Sequence, residues 1–145
     1  MTTLADRPVT LPTRAIMIAI WVSGGIVALV WGVIFAIAPR DGWPAWLGAG
    51  AAAVVGISAT LALTVIRPWR PRPLGNWPML WVLASFLKWP PTLAGAFLLY
   101  SATPLSKGAL GLSVLAAYLA VLAGETMVYA KSMKRFAPSG GELTG

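Results

Sequence analysis

Four stretches of the chain are apolar almost without interruption for about twenty residues each: 15–38, 46–66, 77–100 and 110–129. A helix of roughly 20 apolar residues crosses a bilayer core about 30 Å thick. The runs are continuous rather than alternating. That predicts helices and argues against barrel strands, which alternate over about ten residues. Short polar breaks at 39–44 and 101–107 make the flanking helices antiparallel neighbours. The pattern therefore predicts an all-α membrane protein with four transmembrane helices in two antiparallel hairpins. A polar arm, 1–14, precedes the membrane domain of 15–135, and a Gly- and Ser-containing tail, 136–145, is expected to be flexible.

Two details refine this outline. Ala36-Ile37-Ala38 looks like a signal-peptide cleavage site. The run before it is longer than a signal's apolar region of roughly 7–15 residues, so a retained helix is expected. Between the second and third runs, Arg67-Pro68-Trp69-Arg70-Pro71-Arg72-Pro73 alternates arginine with proline. That composition predicts extended, polyproline-like backbone. Asn76-Trp77-Pro78 then reads as a helix start, with Asn76 as the cap and proline in the first turn.

Composition agrees with a membrane protein. Hydrophobic residues make up 58%, charged residues only 10%, and mean hydropathy is +0.77, whereas about a quarter of a soluble domain is charged. With no cysteine and no histidine, disulfides, zinc-finger sites and imidazole or thiolate chemistry are excluded within the chain. The acids are Asp6, Asp41, Glu125 and Glu142, too few for two-carboxylate catalysis. The expectation is a protein that is not an enzyme, with no cofactor and no metal site.

The net charge of +7 does not point to nucleic acid, because the basic residues sit at segment ends rather than on one face. Arg7, Arg14, Arg67, Arg70, Arg72, Lys131, Lys134 and Arg135 fall on one side of the membrane, Arg40 and Lys107 on the other. The positive-inside rule then places both termini and the basic loop in the cytoplasm, as expected for a multi-pass protein of a bacterial inner membrane. Arg67, Trp69, Arg70 and Arg72 are candidates for contact with anionic lipid or a partner's acidic loop.

Small residues recur every four positions: Gly24, Ala28, Gly32 and Ala36 in the first run, Gly48, Ala52, Gly56 and Thr60 in the second, Ala116, Ala120 and Gly124 in the fourth. Such stripes let helix backbones approach closely where lipid supplies no hydrophobic drive. Among eight tryptophans, Trp43, Trp46, Trp69 and Trp77 stand at predicted ends, where indoles anchor at headgroups. Trp21, Trp31, Trp81 and Trp89 fall inside runs and suit lipid-facing or helix-packing roles.

The third run carries Lys88 and then Pro90-Pro91 near its middle. An ammonium in hydrocarbon costs roughly 2.5–3.5 kcal/mol on insertion scales. The prolines cannot donate to the carbonyls of Phe86 and Leu87, so a kink is expected at Pro90 and Pro91. Glu125, four residues before the end of the fourth run, lies about 6 Å deep at 1.5 Å per residue, and Lys88 about 16 Å deep. The lysine stem reaching toward the surface would let the two meet. Three readings stay open: an internal Lys88–Glu125 pair, Lys88 meeting an acidic group of a partner, or Lys88 on an ion or proton path.

These features resemble the bacterial ATP synthase protein I family over most of 15–135. The likeness rests on two tight hairpins, the small-residue second helix (Gly48-Ala49-Gly50-Ala51-Ala52 and Ser58-Ala59-Thr60), the basic loop, and the lysine in Phe86-Leu87-Lys88. Pro90-Pro91, and Ala84-Ser85 in place of an acidic residue before the lysine, set this chain apart. The resemblance implies an accessory role in rotor-ring assembly or membrane-sector stabilisation of the F-type ATP synthase. Its partners would be the bilayer and that larger complex. A structural subunit of a respiratory or photosynthetic supercomplex, and a small oligomeric ion channel or transporter, are the alternatives.

Overall fold

The computed structural model describes residues 6–39, 41 and 43–136. The expected tail, apart from Phe136, lies outside them, as do Arg40 and Gly42 in the first turn. Five helices build four spans: α1 (Thr13–Ile37), α2 (Leu47–Ile66), α3 (Trp77–Leu87), α4 (Trp89–Ala102) and α5 (Lys107–Phe136). Four helical segments are long and apolar enough to cross a membrane, with α3 and α4 together forming the third.

The centre of the bundle is α2. Half of its apolar window is buried, against 17% for the first and third spans. Its small side chains explain this, because they leave holes that larger neighbours fill. The Trp31 side chain on α1, its Cβ nearest, occupies the space a Cβ on Gly48 would take, and a Cβ on Gly56 would meet the Trp21 ring at 3.2 Å. At Gly24 the nearest atom to such a Cβ is that of Ala52, 3.6 Å away. On α5, the space beside Gly124 is taken by Ser23, with the Ala19 carbonyl 3.3 Å from where a Cβ would stand. These are the close approaches that small residues permit in a bilayer.

The stripes hold only in part. Nothing lies within 4 Å of a Cβ placed on Gly32, Ala28 is half-buried and Ala36 is exposed. On α5, Ala116 and Ala120 are half-buried, while the fully buried row is Ala109, Ser113, Ala117, Val121 and Glu125. That row is turned one residue from the expected one, because α5 packs against α1 and α2 together and so buries positions between the two contacts.

The two hairpins differ. Helices α1 and α2 lie close along their length, and α5 packs against both. The third span leans mainly on α2, where Val54 fills the hole at Gly95 and would stand only 2.7 Å from a Cβ at that position. The backbones of α4 and α5 scarcely approach one another, so large side chains bridge that gap.

The arm and the basic loop form one small cap. Pro8–Val9 (β1) pairs antiparallel with Arg72–Pro73 (β2), Pro8 opposite Pro73. Leu11 N–H donates to Pro68 O at 3.0 Å and Leu74 N–H to Arg7 O at 3.0 Å. Trp77, expected at the headgroups, is instead fully buried beneath the arm and donates its indole N–H to Val9 O at 3.1 Å. Asn76 makes no side-chain cap; a 3-10 turn over Leu74–Asn76 leads directly into α3. Only the strand part of the linker is extended, since Arg67 closes α2 in the left-handed region at φ 54°.

Filling the used and unused holes separates the two kinds of glycine. Gly48→Ala is expected to destabilise the protein by about 1–3 kcal/mol by displacing Trp31. Gly32→Ala is expected to be neutral or stabilising by up to about 1 kcal/mol from helix propensity. Reversible unfolding in detergent micelles measures both.

Candidate functional site: a buried ion pair in the third span

The third span is interrupted at Lys88, in the turn where Pro90 and Pro91 leave the Phe86 and Leu87 carbonyls without helical donors. Pro90 and Pro91 fall in the first turn of α4, where a missing N–H costs least. Lys88 keeps a helical backbone (φ −72°, ψ −26°), with its N–H 3.3 Å from Ala84 O and its own carbonyl accepting from Thr92 N–H at 3.1 Å.

The Lys88 ammonium forms an ion pair with Glu125 Oε2. Both side chains are sealed from solvent, at 4% and 0% exposure. The other carboxylate oxygen, Oε1, is also covered and accepts no hydrogen bond. The two groups meet at the same level of the bundle. The helix α5 continues to Phe136 rather than ending near 129, so Glu125 stands about 16 Å from its end, like Lys88 from the start of α3. Lys134 and Arg135 in the last turn favour that extension by complementing the helix dipole.

Aromatic pairs enclose the ion pair along the seam. On the basic-loop side Trp81 stacks on Tyr129, with centroids 4.6 Å apart and planes at 14°. The ammonium lies 6.0 Å from the Trp81 ring centroid, the outer range of cation–π attraction. On the other side Trp89 meets Tyr118 at 5.1 Å. The Tyr118 hydroxyl donates to Ser85 O at 3.2 Å, tying α5 to a carbonyl one residue from the proline-freed pair.

The remaining candidate residues are placed as follows. Arg67, Trp69 and Arg70 are exposed on the cap. Arg72 is half-buried and donates to Ile66 O at 3.1 Å, so it satisfies an orphan carbonyl at the end of α2. Sequence reasoning did not single out Gly95, Tyr118 or Tyr129, nor the hydrogen bond of Trp31. Gly95 gives α4 its close approach to Val54. Tyr118 and Tyr129 line the ion-pair seam, and their spacing of seven and four residues from Glu125 was the available signal. Trp31 donates to Ser113 Oγ, linking α1 to α5.

Among the described residues no group of three acidic, His or Cys side chains is placed to hold a metal ion. The fold and site define a four-span helical membrane protein with one internally neutralised charge pair. No family model, curated protein or solved structure matches the chain.

Cysteines at 81 and 129 are expected to cross-link readily with a short bismaleimide, since the native chain has no cysteine and these rings stack at 4.6 Å. Cysteines at 81 and 118 are expected to stay unlinked. Gel mobility of the heat-denatured, protease-cut product checks both.

Proposed function

We propose that the chain is a non-catalytic accessory or assembly subunit of a membrane energy-transducing complex, comparable to the ATP synthase protein I family. It acts in the inner membrane of a bacterium with both termini and the basic cap in the cytoplasm. The observation that carries this reading is the closure of Lys88 on Glu125. A transport path needs several polar groups in series. Here the ionisable side chains at mid-depth neutralise each other.

The nearby hydroxyls support the same reading. Ser58 and Thr60 each donate to a carbonyl of their own helix at 2.8 Å, and Ser85 does so at 3.1 Å. They are turned back onto the backbone rather than strung along a channel. What the chain offers outward is apolar: Met79, Leu83 and Phe86 of α3 are more than half exposed. This face suits packing against the membrane sector of a larger assembly.

Purification of the full chain from native membranes in mild detergent tests the proposal. Recovery of ATP synthase rotor-ring or other membrane-sector subunits is the expected result. Recovery of a homo-oligomer alone contradicts it and favours a channel.

A further inference from the structure

A second feature lies beyond the ion pair, on the side away from the basic cap. Helices α4 and α5 enclose a cleft of about 470 Å³ that runs from Trp89 and Tyr118 to Tyr100 and Lys107. Its walls are apolar: Leu93, Ala96 and Phe97 on α4, Leu110, Gly111 and Val114 on α5. Thr92 lies at the inner end with its hydroxyl covered, so it offers no polar atom to an occupant.

The dimensions select what fits. From Trp89 to Tyr100, and from Lys107 to Tyr118, is eleven residues, or about 16 Å of helix. That is the thickness of one leaflet, half of a core of roughly 30 Å. The cleft is a groove open along one side, since Leu93 and Phe97 on its wall are more than half exposed. One hydrocarbon chain, with packing neighbours about 4 Å from its carbons, fills such a slot.

The outer end carries a charge. Lys107 opens α5, is exposed, and has no ion pair among the described residues. It stands where a phospholipid headgroup lies when its chain runs inward.

We propose that this cleft is a specific lipid site. It takes one acyl chain of an anionic phospholipid from the leaflet opposite the basic cap, with the phosphate held by Lys107. The inference does not depend on the accessory-subunit reading.

The experiment is native mass spectrometry of the full chain taken from vesicles with equal phosphatidylglycerol and phosphatidylcholine. The wild type is expected to retain one lipid, with phosphatidylglycerol preferred. Gly111→Leu is expected to lose it, because open space at Gly111 lets the new side chain fill the slot without a clash. Lys107→Gln is expected to keep a lipid while the anionic preference falls by roughly fivefold, the effect of one basic residue at a charged surface. If Gly111→Leu does not fold by circular dichroism, Ala96→Leu on the facing wall decides. Lipid retained in a folded slot-filled variant overturns the site. So does recovery of a molecule without a phosphate, or an anionic preference unchanged in Lys107→Gln.

Discussion

A lysine and a glutamate, each too costly to leave alone in hydrocarbon, are buried against each other at the middle of this bundle. That contact ties the third span to α5. The helix is interrupted at Lys88, where Pro90 and Pro91 withhold donors from Phe86 and Leu87, and both prolines fall into the first turn of α4. The pair also sets the level at which α5 lies beside the third span.

Two packing regimes coexist as a result. Helices α1, α2 and α5 approach through glycine and alanine, with tryptophans of α1 set into holes on α2. The third span is held off α5 by bulk: an ion pair between a stacked Trp–Tyr couple and a tilted one. Bulk at the centre of the seam leaves space beyond it, and the apolar cleft between α4 and α5 occupies that space. The same polar contact thus secures one half of the seam and opens the other.

The four spans were readable because their apolar runs match the bilayer, and the pair was readable because only one of four acids falls inside a run. What escaped was set by tertiary contact. Trp77 carries the marks of a headgroup anchor, yet the arm folds over it and takes its N–H on Val9. The buried row of α5 is rotated by one residue because two helices share it, which four-residue spacing does not encode.

The central claim is that the ion pair couples the third span to the core. A double-mutant cycle measures this directly, by reversible unfolding of Lys88→Met, Glu125→Gln and the doubly substituted chain in mixed micelles. Either single change leaves one buried charge or polar group unpaired and is predicted to cost about 3–5 kcal/mol. The double variant is predicted to cost far less than the sum. Additivity of the single effects to within about 0.5 kcal/mol contradicts the account.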